Sequence, residues 1–210
     1  MRGLFVTFEG PDGGGKSTQL KRAAQALRNL GYSVLESREP GGTQLAEQVR
    51  SLVLDAKLPL SNTTQTLLYL AARSEHVDKV LRPALQEGKI VLCDRFGDST
   101  VVYQGLAVGA SAADVDKLQK LNKFAAAGIM PQLTLLLDGD PAVLETRRTL
   151  RGVTDRYEEK GLAFQQALRD GFLVLAQQEP ERIRVINAEA DTESVHREIM
   201  AALLELINRK

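Results

Sequence analysis

The amino-acid sequence predicts an α/β fold, a doubly wound sheet of about five parallel strands with helices on both faces, and three observations carry that expectation. Short apolar runs at residues 3–9, 33–37, 90–93, 133–137 and 183–186 recur along the 210-residue chain, separated by segments whose apolar residues follow helical spacing. The first run leads into Gly10-Pro11-Asp12-Gly13-Gly14-Gly15-Lys16-Ser17-Thr18, which fills every fixed position of the G-x-x-x-x-G-K-[ST] pattern. The third and fourth runs are each followed by an aspartate, Asp94 and Asp138, on the side where open parallel sheets gather ligands.

In chain order, the strand at residues 3–9 is short, apolar and partly β-branched, as a buried parallel strand requires. The glycines after it let successive backbone N–H groups turn toward one anion, and the helix at 16–30 adds its positive end. Lys16 can reach outer phosphates and Ser17 can ligate Mg²⁺. Leu20, Ala23, Ala24, Leu27 and Leu30 form that helix's apolar face, and Gly31 closes it. After the second strand, Arg38-Glu39-Pro40-Gly41-Gly42-Thr43 is a sharp charged turn, either a solvated loop or a ligand-facing one, before a helix at about 44–54.

A long helical pattern spans 61–86, with Pro83 placed to kink it near its end. Tyr69 and Arg73 lie four apart on one face, an arrangement that suits either packing or the grip of an aromatic base. The strand at 90–93 ends in Asp94 and Arg95. The acid stands where a Walker B carboxylate holds Mg²⁺ or its water, and the arginine offers a planar fork for phosphate. Cys93 reads as an inert core thiol. Ser99, Thr100, Tyr103, Gln104 and Gly105 then crowd hydrogen-bonding groups into one short stretch. A helix at 112–127 and the strand at 133–137 follow, then Asp140-Pro141 as an N-cap and first helical position. Arg147, Arg148, Arg151 and Arg156 gather four arginines about Gly152, which reads as a solvated basic surface or as a closing lid at about 147–157. A helix at 164–177, the last strand and a terminal helix complete one expected domain over residues 1–210.

Composition narrows the function. Hydrophobic residues are 43% and charged residues 26%, near globular averages. Lys plus Arg and Asp plus Glu are 27 each, so no global field draws nucleic acid or membrane, and an anion site has to be built locally. One cysteine makes no internal disulfide, and no apolar stretch of about 18 residues or signal-like segment occurs, which sets the expectation of a cytoplasmic protein. His76 and His196 lack metal-ligand spacing and read as surface or packing residues. Three classes use such a phosphate loop: small-molecule kinases, switch GTPases and partner-driven ATPases. Asn122-Lys123-Phe124-Ala125 lacks the final carboxylate of a guanine-reading N-K-x-D element. Asp94-Arg95-Phe96-Gly97 satisfies only the two fixed positions of D-x-x-G. A kinase needs a second anion site opposite the donor, for which Arg38, Arg73 and Arg95 are available.

Phe8-Glu9-Gly10, Arg38 to Thr43, Leu67-Leu68-Tyr69 to Arg73, Asp94-Arg95-Phe96 with Ser99, and Tyr103-Gln104-Gly105 resemble thymidylate kinases in order and spacing over nearly the whole chain. The resemblance implies a P-loop NTPase fold and transfer of the γ-phosphoryl group of ATP to dTMP, with Mg²⁺ and as a homodimer. By the same resemblance, Tyr69 stacks on thymine, where the family usually has Phe, and Arg73 and Gln104 read the base edge. Arg38 and Arg95 grip the acceptor phosphate, Asp12 meets the sugar, Tyr103 excludes a 2′-hydroxyl, and Ser99 and Thr100 line the site. Gly10, Pro11, Asp12 and Gly13 to Thr18 hold ATP, with Asn187 and Ala188 near adenine, while Ser17 with Glu9 or Asp94 organises Mg²⁺. One class of the family carries a catalytic arginine at the position of Gly13. Its absence here shifts that charge to Arg147, Arg148, Arg151 and Arg156, beside Lys16 and Arg95.

Overall fold

The computed structural model describes the backbone at residues 3–149, 157 and 160–209, and these form an α/β sheet domain. Strands β1 (Leu4–Glu9), β2 (Val34–Arg38), β3 (Ile90–Asp94), β4 (Leu133–Asp138) and β5 (Ile183–Asn187) pair in the order β2-β3-β1-β4-β5, all parallel. Central β1 is buried along its whole length. The period-two alternation of a strand divides its side chains between two cores. Val6 and Phe8 join Leu92, Leu135 and Leu137 against helices α1 (Lys16–Asn29) and α9 (Thr192–Asn208), while Phe5 faces the opposite side with Val91 and Cys93. Cys93 is buried in that second core and burial pushes its thiol pKa well up, so it is an inert packing residue.

Between β2 and β3 run α2 (Gln44–Leu54), α3 (Asn62–His76), a π turn at Val77–Leu81 and α4 (Arg82–Gln86). The sequence pattern at 61–86 is thus one helical path with a wide turn just ahead of Pro83. Proline has no N–H to give Lys79, and in the widened turn the Arg82 N–H reaches back five residues to Val77. After β3 come α5 (Gly97–Gln104), a 3₁₀ turn and α6 (Ala112–Ala125); α7 (Pro141–Thr149) follows β4 and α8 (Gly161–Gln178) precedes β5. Thr43, Ser61, Ser111 and Asp191 cap α2, α3, α6 and α9 through their side chains, and Asp140 accepts from the Ala142 N–H at the start of α7. The chain leaves β1 toward β3 and β2 and returns past β1 to β4 and β5, so a crevice opens beyond the carboxyl end of β1. Among the described residues no helix is long and apolar enough to cross a membrane.

Candidate active site

Helix α1 starts differently from its capped neighbours. Gly15 is its N-cap in the left-handed conformation, no side chain caps it, and its first turn carries no acid. A helix end left this way offers its N–H groups to an anion. Lys16 folds over the loop, donating to the carbonyls of Gly10 at 2.9 Å and Pro11 at 2.8 Å. Burial and the nearby Arg95 cation lower its pKa against the opposing pull of Asp12 and Asp94.

Ser17 and Asp94 meet at the mouth of the loop, where the hydroxyl donates to Oδ2 at 2.5 Å. This all-oxygen pair fits a small hard cation that takes one or two protein oxygens and completes its shell with phosphates and water. Among the described residues no group of three His, Cys, Asp or Glu side chains is placed to hold a metal alone, and such a site needs none. Glu9, the other acid the sequence offers as a cation ligand, is hydrogen-bonded to the start of α5. Its carboxylate accepts from Phe96 N at 2.7 Å, Ser99 N at 3.3 Å and Ser99 Oγ at 2.6 Å, so it supplies the cap that α5 lacks from its own residues. Burial, with Asp98 nearby, raises its pKa to about 7 despite Arg95 and these hydrogen bonds.

Arg95 leaves β3 with φ 70°, a left-handed conformation rare outside glycine. Such backbone strain persists where surrounding contacts over-determine it. Here the Arg95 N–H bonds Phe8 O at 3.0 Å, Nη2 donates to Asp12 at 2.7 Å and Nη1 to Ser99 at 3.0 Å. The guanidinium lies over the Tyr103 ring, 5.1 Å from its centroid. Burial opposes the charge on Asp12, but Arg95 and Lys16 hold its carboxyl well below the usual range. The Tyr103 hydroxyl stands 3.5 Å from the other Asp12 oxygen.

Asp12, Tyr69, Arg73, Arg95, Ser99, Thr100, Tyr103 and Gln104 line one cleft beside the loop. The sequence-predicted acceptor residues therefore converge, with one exception. Arg38 is not among the cleft-lining residues; it lies with Ser17 and Asp94 around a separate hollow and reaches both oxygens of Glu47 at 2.9 and 3.0 Å. Arg50 of α2, which sequence reasoning missed, lines the cleft instead and donates to Pro40 O at 3.1 Å. Glu39, Phe96 and Tyr157 also line it, and none of them was given a role from the sequence. The Tyr157 hydroxyl is 2.9 Å from both Gln104 and Gln65 and 3.2 Å from the Tyr69 hydroxyl. The clues available were slight: a charged residue before Pro40, and one aromatic within a basic loop.

On the other side of the loop, Gly13, Gly14, Gly15 and Thr18 share a hollow with Ala188 and Arg147. Arg147 donates to the carbonyls of Ala188 at 2.7 Å and Glu189 at 3.2 Å. Asn187 accepts from the Glu189 N–H at 2.9 Å, within its own turn. Arg151, Arg156 and the side chain of Arg148 lie outside the described residues. The arrangement sets one phosphate loop between two compartments, one glycine-walled and one lined by arginine and aromatic side chains.

Comparisons with known proteins point to one family. The family model described as Thymidylate kinase matches residues 8–199. The chain is 44% identical to the thymidylate kinase of Geobacter sulfurreducens over 99% of its length and all of that protein's. It is 44% identical to that of Deinococcus radiodurans, covering 97% of this chain and 98% of the relative. A crystal structure of thymidylate kinase from Ehrlichia chaffeensis superposes with a TM-score of 0.77 at 34% identity, over 97% of this chain and 99% of the other.

Proposed function

The chain belongs to the thymidylate kinase family, and on that premise we propose that it transfers the γ-phosphoryl group of ATP to the 5′-phosphate of dTMP, giving dTDP and ADP for DNA precursor synthesis. The observation that carries this reading is the position of Arg95. It joins the phosphate loop, through Asp12, to a cleft walled by Tyr69, Arg73 and Tyr103, so donor and acceptor anions are brought to one point.

ATP lies along Gly10 to Thr18, its adenine toward Ala188 and Asn187, its outer phosphates toward the α1 N-terminus and Lys16. Lys16 leaves the carbonyls of Gly10 and Pro11 to make that contact. In the acceptor cleft Tyr69 stacks on thymine, Arg73 and Gln104 donate to the base, and Tyr103 fills the space of a 2′-hydroxyl. Asp12 meets the sugar, and Ser99 and Thr100 complete the wall. Arg95 and Arg50 face the 5′-phosphate, Arg50 occupying the role that the resemblance gives to Arg38. An oxygen of that phosphate attacks the γ-phosphorus as the bond to the β–γ bridging oxygen breaks, and ADP carries the departing charge. The attacking oxygen is already anionic near neutral pH, so no side chain has to remove a proton. Ser17 and Asp94 are the residues that hold Mg²⁺, which when bound offsets charge on the β- and γ-phosphates. Arg148, Arg151 and Arg156 supply the lid charge that stabilises the transferred group, while Arg147, tied to the Ala188 and Glu189 carbonyls, lines the adenine side. The protein acts in the cytoplasm as a homodimer.

The test is to incubate the protein with ATP and Mg²⁺ and each nucleoside monophosphate in turn. ADP formed only with dTMP is expected. ADP formed equally without any acceptor would instead support a partner-driven ATPase.

A further inference from the structure

Behind Arg73 lies a buried polar chain through Glu39 to His76, and no step above assigns work to these two. His76, at the end of α3, is fully enclosed, as are Glu39 and Arg73 to within a few per cent. Its Nδ1 is 3.0 Å from Glu39 Oε1 and its Nε2 is 2.6 Å from Ser37 Oγ. The second Glu39 oxygen accepts from Arg73 Nε at 2.8 Å. Arg73 also donates from Nη2 to Thr100 at 3.0 Å and from Nη1 to the Asn122 side-chain oxygen. Asn122 is itself tied to Gly97 O at 3.1 Å.

Two consequences follow from the chemistry of these groups. A carboxylate only accepts, so His76 Nδ1 carries the hydrogen, and in the neutral ring Nε2 accepts from Ser37. Arg73 has five N–H donors in a rigid plane and spends three on Glu39, Thr100 and Asn122, leaving two for the cleft it lines. A planar fork held by three partners has a fixed plane. Donors alone favour a pyrimidine with a carbonyl at position 4 over one with an amino group there. The neighbouring turn packs close to the ring: a Cβ added at Gly42 would lie 2.7 Å from His76 Cδ2.

We propose that His76 is a positioning residue for acceptor choice, acting through Glu39 to fix the plane of Arg73 and so to set the preference for 4-carbonyl over 4-amino pyrimidine nucleotides. This rests on the assignment of the cleft to the acceptor nucleotide. The two ring nitrogens have different partners and so different roles, Nδ1 orienting Glu39 and Nε2 binding Ser37.

Two variants separate those roles. His76→Asn keeps an amide nitrogen near Nδ1, whereas His76→Gln places its amide nearer Nε2. Calorimetric dissociation constants for dTMP and dCMP, with kcat and KM for dTMP, are the readouts, alongside ATP affinity and thermal midpoint. The expected result is that His76→Gln and His76→Ala lower the dTMP-over-dCMP preference by about tenfold, the size of one lost hydrogen bond to a charged group. Affinity and KM for dTMP should change while kcat at saturation and ATP affinity hold within about twofold. His76→Asn should restore the preference. A purely structural histidine predicts that preference is unchanged or follows thermal midpoint across the three variants, and either outcome overturns the proposal. If His76→Ala does not fold, the Asn and Gln pair decides it alone. Wild-type protein that neither binds dTMP nor phosphorylates it would overturn the functional reading beneath, a failure recognisable before any variant is made.

Discussion

Glu9 shows how a single carboxyl group can be committed to the shape of a site. Enclosed at the end of β1, it accepts from two backbone amides and one hydroxyl at the start of α5, and Ser99 passes that order on to Arg95. Its pKa is raised from 4.5 to about 7, first by burial and then by Asp98. A raised carboxyl pKa means that the folded protein binds a proton more tightly than the unfolded chain. This contribution to stability is fully present below pH 4.5 and is lost as pH rises through about 7. Glu9→Gln cannot titrate. Its unfolding free energy relative to wild type should therefore rise by roughly 3 kcal/mol between pH 4.5 and pH 8, measured by urea titration without nucleotide. A constant difference across that range would show that Glu9 ionises normally in the folded protein.

At the scale of elements, the phosphate loop and α7 constrain each other. Gly13 has φ +90°, and a Cβ there would lie 2.4 Å from the Leu144 carbonyl oxygen of α7; Gly31, at φ +89°, has nothing within 4 Å. Gly31→Ala should therefore lose only backbone strain, about 1–3 kcal/mol. Gly13→Ala should lose that and displace the loop as well, weakening ATP binding by about tenfold or more, equal to about 1.4 kcal/mol of lost contact. Equal effects of the two changes on ATP affinity would remove this explanation. The clash also gives a physical reason why this loop carries no arginine at Gly13, so Gly13→Arg should not replace the lid charge. Arg151→Ala and Arg156→Ala should lower kcat far more than dTMP affinity, since one arginine on the transferring phosphoryl is worth about 10³–10⁵ in rate. Unchanged kcat in both would leave the lid without a catalytic role. These elements also show what the sequence could reveal. The loop, Asp94 and the strand periodicity were readable because each rests on neighbours in the chain. Arg50 was not, because its place in the cleft depends on how α2 packs against α3. Arg38 stands outside the cleft lining and pairs with Glu47, a contact that the sequence does not show. His76 read as a surface or packing residue, and only the fold sets it beside Glu39 and Ser37.

At the scale of the molecule, α3 packs against both α2 and α6. These helices supply Arg50, Tyr69 and Arg73 to the acceptor cleft, with Asn122 holding Arg73. The same helices carry exposed Leu45 and Leu52 on α2, Leu67 on α3, and Leu121 and Phe124 on α6, Phe124 at 84% exposure. With equal numbers of acids and bases over the whole chain, net repulsion does not keep two copies apart. The homodimer proposed above would find large exposed apolar side chains on these helices, and a stable contact has to cover about 800 Å² per subunit. Phe124→Asp should then shift the protein from dimer to monomer in sedimentation equilibrium, whereas Val185→Asp on edge strand β5 should not. The acceptor-binding side chains stand on the same helices, while the donor compartment is built on α1, α7 and the turn after β5. Loss of the dimer should therefore raise KM for dTMP by several-fold and leave KM for ATP within about twofold. Monomerisation with both constants unchanged would uncouple the interface from the cleft, and a Phe124→Asp protein that remains dimeric would place the contact elsewhere.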